Sequence, residues 1–344
     1  MPPFVERGWY GQDKRWWPLL LILLPISALL FSIAVLRRAW LSRSACEIVE
    51  PPILVVGNIS LGGTGKTPLL AAMVQLLRLK GWTPGVVSRG YGGQTTHYPL
   101  LVSSEVSAQQ CGDEPRLLVD KTQVPLVVDP NRSRAVAYLL AHCHCDVVLS
   151  DDGLQHYALS RDIEIAVLDG QRGVGNGFLF PAGPLREPLT RLHQVDFPVV
   201  NVAGPLHASL NSLTEQLVEM RMEPMAFVHV ATGARTALQD MPSEQLWQVY
   251  CGIGNPQRFF MTLAQQGICY EPHVFPDHYN YSPADFTEWA EDYILMTEKD
   301  AVKCRQFAGE HWYYLAVEAH LPPDFIDRLD ALLLKVKAHK VIDR

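Results

Sequence analysis

The distribution of apolar residues predicts a buried sheet in the first two thirds of the chain. Short runs of Val, Ile and Leu alternate with longer stretches in which apolar residues recur at helical spacing. Strands that are apolar along their whole length are typically buried on both faces, as in parallel sheets. The runs lie at 52–58, 84–88, 125–129, 146–150, 163–168 and 197–202, and a helix is expected at 66–80. This alternation predicts a doubly wound α/β domain with a mostly parallel sheet.

The pattern weakens between residues 203 and 240 and then resumes. Further strands are expected at 247–253, 268–275, 292–297 and 312–317, with helices at 256–266 and from residue 322. We therefore predict a larger domain over residues 46–222 and a second, smaller α/β domain over residues 223–344. A cleft between two domains is the usual place for a substrate to bind.

The first 45 residues follow neither pattern. No charged residue occurs from Trp16 to Leu36, and this segment is almost wholly apolar. A helix of this length, at about 1.5 Å per residue, measures about 30 Å, which is close to the thickness of a bilayer core. Residues 1–45 are therefore predicted to form an N-terminal membrane helix with its flanks.

Two alternatives to a spanning helix stay open. Pro25 would kink the helix, which also suits a helix that lies in the membrane interface. A cleaved signal peptide is the other alternative, and the stretch SRSAC at 42–46 resembles a lipoprotein cleavage site. Arg43 departs from that pattern, because such sites need small residues before the cysteine. Basic residues flank both ends of the segment equally, so the positive-inside rule does not orient it.

Composition narrows the partners and the compartment. The formal net charge of −7 argues against nucleic acid as a partner. The seven cysteines are odd in number and form no regular framework, which favours a reduced, cytosol-facing protein. No stretch of the sequence indicates an obligatory protein partner.

Residues 60–67 read SLGGTGKT directly after the first apolar run and have the composition of a phosphate-binding loop. Glycines let backbone N–H groups close around phosphates, a lysine reaches the β- and γ-phosphates, and a hydroxyl binds magnesium. Ser60 replaces the first glycine of the strict pattern but leaves its chemical core intact. This loop makes the predicted fold P-loop NTPase-like, and the predicted nucleotide-binding residues are Ser60, Leu61, Gly62, Gly63, Thr64, Gly65, Lys66 and Thr67.

Two adjacent carboxylates follow the buried run at 146–150. Asp151 and Asp152 are predicted, together with Thr67, to hold magnesium or its water beside the nucleotide. A surface turn is the alternative, because Asp-Gly is a common turn pair. The sequence does not distinguish which aspartate supports the metal.

Three further stretches place polar residues at the ends of predicted elements. VVSRGYGG at 86–93 brings Arg89 and three glycines, CGDEP at 111–115 brings Asp113 to a helix start, and FPDHY at 275–279 brings His278. Each has a plainer alternative, namely a solvated loop, a helix N-cap and a surface histidine.

Two stretches suggest chemistry that the rest of the sequence does not support. AHCHC at 141–145 contains two histidines and two cysteines, but zinc sites usually separate their ligand pairs by about a dozen residues or more. TEKD at 297–300 has the letters of a guanine-recognition motif in the wrong order, which argues against a GTPase.

Taken together, the ordered motifs resemble the tetraacyldisaccharide 4′-kinase family of lipid A biosynthesis. The matching stretches span residues 55 to 303 and are VVGNISLGGTGKTP, VSRGYGG, GDEP, DDGLQH, PAGPLREP, FPDHY and TEKDAVK. The resemblance implies that ATP, with Mg²⁺, phosphorylates the 4′-hydroxyl of an acylated glucosamine disaccharide 1-phosphate to give lipid IVA. It also implies two α/β domains joined by a β-strand linker. The enzyme would work among membrane lipid at a bacterial inner membrane, with its active site on the cytoplasmic face.

The resemblance also implies roles for individual residues. An Asp–His pair that accepts the proton of the sugar hydroxyl maps onto Asp113 and His278, and Lys66 completes the catalytic set. Because this pair would join the two domains, domain closure would assemble the site. Weaker candidates for phosphate or substrate contacts are Arg89, Arg132, Arg186 and Glu187.

The main alternative function is a membrane-tethered nucleotide switch that binds a protein partner and transfers no phosphate. It explains the apolar helix and the phosphate loop, but it does not explain a base in the second domain. Dependence of ATP turnover on an acylated disaccharide separates the two hypotheses. A metal-binding chaperone built on AHCHC is a third hypothesis, which a metal assay decides.

Overall fold

The computed structural model describes residues 3–11, 14–43, 51–241, 245–289 and 292–342. Its helices are α1 (Pro3–Tyr10), α2 (Trp17–Arg43), α3 (Lys66–Leu79), α4 (Ala108–Cys111), α5 (Asp113–Thr122), α6 (Arg132–His142), α7 (Pro256–Gln265), α8 (Glu298–Cys304) and α9 (Pro323–Ile342). Its strands are β1 (Ile53–Gly57), β2 (Pro84–Ser88), β3 (Leu100–Leu101), β4 (Leu126–Val128), β5 (Val147–Asp151), β6 (Ile163–Asp169), β7 (Phe197–Asn201), β8 (Val218–His229), β9 (Arg235–Ala237), β10 (Trp247–Cys251), β11 (Tyr270–Val274), β12 (Ile294–Thr297) and β13 (Trp312–His320). Short 3₁₀ turns lie at Lys14–Trp16, Leu189–Gln194, Ala208–Leu213, Leu238–Asp240 and Pro283–Trp289.

The doubly wound sheet predicted from the apolar runs is confirmed. The strands β7, β6, β1, β5, β2 and β4 lie side by side in this order, and each neighbouring pair is parallel. Successive side chains of β1 enter opposite layers, with Leu54 and Val56 in one buried cluster and Ile53 and Val55 in the other. Both faces of the sheet are therefore covered, which explains why these strands are apolar along their whole length.

The long strand β8 joins the two halves of the sheet. Its first residues, Val218–Met220, pair in parallel with β7, and the part from Arg221 to His229 pairs antiparallel with β13. Beyond β13 the order continues through β12, β10 and β11, all parallel neighbours. The sequence pattern did not predict β8, and the expected division at residues 222/223 falls inside it. The division into 1–45, 46–222 and 223–344 therefore stays a prediction.

The last helix returns to the first half of the sheet. Phe325, Leu329 and Leu333 of α9 are fully buried in the same cluster as β1 and α3. Beside this cluster, Asp330 accepts a hydrogen bond from the Trp82 indole at 2.7 Å, and Lys340 lies 2.8 Å from Asp162. The C-terminal residues thus complete the core that surrounds the P-loop strand.

The apolar N-terminal helix α2 rests along one side of the first half. It is the one helix in the described part of the chain that is long and apolar enough to cross a membrane. Ser27, near its middle, donates to Leu179 O at 3.0 Å and accepts from Ala182 N at 3.1 Å. Arg38, three turns later, lies over the Tyr157 ring at 4.7 Å. The predicted N-terminal helix is therefore confirmed, whereas residues 44–46 of SRSAC lie outside the described residues.

Candidate active site

The predicted phosphate loop connects β1 to α3 at the carboxyl edge of the parallel strands. Gly65 precedes α3 with φ of 97°, a left-handed conformation that favours glycine. A Cβ at Gly65 would stand 2.6 Å from Asn201 Nδ2, which itself donates to Thr64 O at 3.1 Å. Lys66 and Thr67 then begin α3. Strand, loop and helix follow one another in the order that phosphate binding requires.

The stretch PAGPLREP braces this loop from behind. Leu61 N donates to Pro184 O at 2.8 Å, and Arg186 N donates to Ile59 O at 2.7 Å. Ser60 is buried and forms an isolated β-bridge with Leu185. The position where the strict pattern has glycine is therefore held by backbone pairing, and a serine fits there.

Lys66 is held by the second of the two predicted acidic residues. Its Nζ lies 3.1 Å from Asp152 Oδ1, and Arg186 Nη1 lies 3.2 Å from Asp152 Oδ2. Asp152 has φ of 46°, which turns the chain sharply after β5. Burial opposes ionisation of Asp152, but Lys66 and Arg186 outweigh it and lower the pKa of this carboxyl. Asp152 is therefore an ionised partner of two cations.

Asp151 is in a different environment. It is buried at the end of β5, and its Oδ2 accepts a hydrogen bond from the Ser88 hydroxyl at 3.0 Å. Its Oδ1 finds no hydrogen-bond partner among the described residues. Burial, followed by the nearby Glu114 carboxylate, raises the pKa of Asp151 to about 7. A buried carboxylate oxygen without a donor fits a magnesium ligand, with Thr67 as the accompanying hydroxyl.

The four residues predicted to contact phosphate or substrate differ in burial: Arg132 and Glu187 are buried, Arg186 is paired with Asp152, and Arg89 is exposed. Arg132 is buried, and its guanidinium donates to the carbonyls of Asp129 at 2.9 Å and Asp151 at 3.0 Å. Burial lowers the pKa of Arg132 to about 10. Glu187 is also buried, and it accepts from the Tyr157 hydroxyl at 2.6 Å. Arg89 is exposed immediately after β2, whereas Arg186 already pairs with Asp152.

The predicted Asp–His pair forms across the two halves of the molecule. Asp113 Oδ2 lies 3.2 Å from His278 Nδ1. The N-cap of α5 is Gly112, so the N-cap alternative for Asp113 is wrong. The ring of Tyr91, from VSRGYGG, stands edge-on to the His278 ring at 4.9 Å between centroids. Neither Asp113 nor His278 is therefore an isolated surface residue.

The second half also approaches the phosphate loop directly. A Cβ at Gly254 would stand 3.1 Å from Gly63 N and 3.2 Å from Asp277 Oδ2. Lys299, at the start of α8, contacts both Asp277 and His278. We did not predict Gly254 or Lys299 as site residues. Lys299 could have been found from its place in TEKDAVK. Nothing in the sequence around Gly254 indicates that it lies beside the phosphate loop.

The AHCHC stretch has no site-like arrangement. No group of three or more metal-ligating side chains occurs within the described residues. His142 stacks on the Tyr138 ring at 3.9 Å, and Cys143 and Cys145 pack against the buried cluster beneath α6. These residues therefore have ordinary structural contacts.

The sequence of the chain matches one family of known proteins. A model of the LpxK family, described as tetraacyldisaccharide-1-P 4′-kinase, matches residues 19–334. A protein named tetraacyldisaccharide 4′-kinase from Hahella chejuensis is 44% identical over 345 residues, covering 99% of each chain. A protein of the same name from Pseudomonas paraeruginosa is 46% identical over 335 residues, covering 96% of this chain and 98% of its own.

A solved structure is similar over nearly the same length. It is the "apo" form of LpxK from Aquifex aeolicus in complex with ATP, at 2.2 Å resolution. The two folds superpose with a TM-score of 0.75 at 27% sequence identity. The similarity covers 91% of this chain and 98% of that chain.

Proposed function

The chain belongs to the tetraacyldisaccharide-1-P 4′-kinase family, and on this premise we propose how its residues perform the transfer. The enzyme moves the γ-phosphate of ATP to the 4′-hydroxyl of tetraacyldisaccharide 1-phosphate, a step of lipid A biosynthesis. The observation that carries the proposed mechanism is the 3.2 Å contact between Asp113 and His278. It supports a proton acceptor at the edge of the sheet where the phosphate loop lies.

Phosphoryl transfer depends mainly on positioning and on charge stabilisation. Lys66 and the N–H groups of residues 60–67 would hold the β- and γ-phosphates. The 4′-oxygen attacks the γ-phosphorus, the bond to the ADP oxygen breaks, and the hydroxyl proton passes to the Asp113 carboxylate. His278, hydrogen-bonded to Asp113, orients that carboxylate.

Magnesium bound with the nucleotide would neutralise part of the phosphate charge. Thr67 and Asp151 are the better ligand candidates, because the Asp152 carboxylate is already paired with Lys66 and Arg186. Asp152 would instead keep Lys66 in place before the nucleotide binds. We further propose that Arg186, which belongs to PAGPLREP, contacts the substrate, since it pairs with the same Asp152 carboxylate as Lys66.

We infer that α2 lies along the membrane surface at the cytoplasmic face of the inner membrane. If α2 crossed the bilayer, Ser27 and the polar loop backbone bonded to it would lie near the bilayer centre, where exposed loop backbone is costly. Leucines turned away from the protein remain exposed, with Leu21 at 80% and Leu36 at 71%. Insertion of this outward face would bring the active site to a substrate whose acyl chains lie in the membrane.

The function is tested with detergent-solubilised protein, γ-labelled ATP, Mg²⁺ and the acylated disaccharide 1-phosphate. We expect the label to appear in lipid with the wild-type protein and to be absent with Lys66→Ala. ATP turnover that is independent of the disaccharide, with no label in lipid, would favour the nucleotide switch and overturn the kinase.

A further inference from the structure

Lys299 lies at the centre of the hydrogen bonds behind the proposed base. Its Nζ is 3.1 Å from His278 Nε2, 3.1 Å from Asp277 Oδ1 and 3.3 Å from Glu114 Oε1. Its side chain is 16% exposed. The contacts come from both halves of the molecule, because Glu114 belongs to α5 and the other two residues precede β12.

The donor count of a lysine decides the protonation of His278. An ammonium group has three N–H donors and no acceptor. The three donors of Lys299 match its three acceptors, so His278 Nε2 accepts a hydrogen bond and carries no proton. The proton of the neutral imidazole then lies on Nδ1, which donates it to Asp113 Oδ2 at 3.2 Å.

The ammonium stays charged despite its partial burial. Burial disfavours the charged form, but Glu114 and Asp277 outweigh it and raise the pKa of Lys299. At neutral pH the group is therefore a donor only.

We propose that Lys299 is a positioning residue that holds His278 in its Nδ1–H tautomer and so orients Asp113 as the acceptor of the sugar proton. The inference rests on the proposed function of Asp113. Lys299 does not reach the substrate in this account, and its effect passes through the imidazole.

Removing the Lys299 ammonium takes away the hydrogen-bond donor to His278 Nε2. The remaining groups around the ring are the Asp113 carboxylate, Asp277 Oδ1 at 3.9 Å from Nε2, and the ring of Tyr91. Lys303 Nζ, at 3.8 Å from Asp113 Oδ2, also lies near the pair. Without Lys299, Nε2 loses its donor and faces the Asp277 carboxylate while Nδ1 faces Asp113, so the ring can take a second proton. The resulting imidazolium would pair with Asp113 and weaken it as a base.

The first test is spectroscopic and needs no activity. Imidazole ¹⁵N–¹H correlation spectra of ¹⁵N-histidine protein, with His278 assigned by comparison with His278→Gln, report which ring nitrogen carries the proton. We expect the Nδ1–H form in the wild-type protein and loss of that single form in Lys299→Met. A wild-type His278 in the Nε2–H form overturns the proposal whether or not Lys299→Met folds.

The second test is kinetic and uses a matched lysine. Lys121 is comparably buried and also ties α5 to the second half, with Nζ 2.9 Å from Glu298 and 2.7 Å from Val317 O, but it does not contact His278. Lys299→Met should lower kcat about 10²-fold, the cost of misplacing a reacting group, and move the acidic limb of the kcat–pH profile to higher pH. Lys121→Met should lower the melting temperature and leave the profile unchanged. Lys299→Arg, which keeps the charge and the donors, should recover part of kcat.

Equal pH profiles for folded Lys299→Met and Lys121→Met would overturn the proposal, because they would show that both lysines only join the two halves. The assignment of Asp113 as the base would be contradicted by a different result, a near-normal kcat in Asp113→Ala. The two failures are therefore distinguishable within one set of variants.

Discussion

Asp113 Oδ2 and His278 Nδ1 lie 3.2 Å apart although 165 residues separate them in the sequence. Asp113 begins α5 beside the parallel sheet, whereas His278 lies in the loop after β11. Neither half of the molecule contains the pair by itself. Any movement between the halves therefore changes the distance between these two groups.

We expect Asp113→Ala and His278→Ala each to lower kcat by roughly 10²–10⁴-fold, the usual worth of general-base catalysis. The double variant should cost little more than the worse single variant, because the two residues act as a unit. The KM for ATP should change little, since neither residue belongs to the phosphate loop. Steady-state kinetics, with a melting curve for each variant, measure this. Effects that multiply, or a normal kcat beside a lowered melting temperature, would rule the pair out.

Lys66→Ala should abolish phosphate transfer while leaving the melting temperature near that of the wild type. The lysine pairs with the Asp152 carboxylate, and Arg186 stays beside that carboxylate when the lysine is removed. Lys80→Ala is the matched control, because Lys80 follows the opposite end of α3 and pairs with Asp327 at the surface. Near-normal transfer by folded Lys66→Ala protein would contradict the assignment of the loop.

Metal affinity should depend on pH through Asp151. A ligand carboxyl must be ionised, and the pKa of Asp151 is raised to about 7, so below pH 7 a proton competes with the metal. Mg²⁺ affinity should then fall up to tenfold per pH unit below 7 and stay constant above it. Calorimetry of Mg²⁺ with a non-hydrolysable ATP analogue in two buffers would detect the released proton. Asp152→Asn should keep this dependence and Asp151→Asn should lose it; the reverse result would assign the metal to Asp152.

The outward face of α2 should control membrane association. Leu29→Lys places a charge on a residue that is 62% exposed and turned away from Ser27. An interfacial helix binds through the apolar area it inserts, so replacing an inserted leucine by a charged lysine should weaken partitioning into vesicles. Leu79→Lys, at an 82% exposed leucine of α3, is the matched control. Vesicle flotation should show loss of binding for the first variant alone, and equal binding of both would place the membrane contact elsewhere.

The sequence predicted local features well because their signals are local. SLGGTGKT lies between a strand and a helix that its own neighbours specify, and β2 begins and ends at the residues expected. Asp151 and Asp152 could be predicted as a pair, but their separate roles could not. Their difference comes from Lys66 and Arg186, which reach Asp152 and not the unpartnered oxygen of Asp151.

Features that depend on distant contacts did not emerge from the residue pattern. The resemblance implied a β-strand linker, but the pattern did not locate β8. This strand alternates buried and exposed residues from Val218 to Arg221, a period-two signal that the surrounding weak pattern obscured. Lys299 was part of a recognised motif, but its role depends on His278 and Glu114, which only the folded chain brings together. The resemblance therefore predicted the Asp113–His278 pair, whereas the residues that surround it are known only from the structure.

The packing of α9 in the buried cluster of β1 and α3 also affects the order in which this protein can fold. Phe325, Leu329 and Leu333 fill the same buried cluster as Leu70 and Met73 of α3, so residues about 250 positions apart in the sequence share one core. During synthesis the N-terminal part leaves the ribosome first, and its apolar surface stays open until the last helix emerges. Contacts of such large sequence separation also slow folding. A nascent chain of this kind should depend on chaperones, and a protein ending before Pro323 should aggregate even though it retains every proposed catalytic residue.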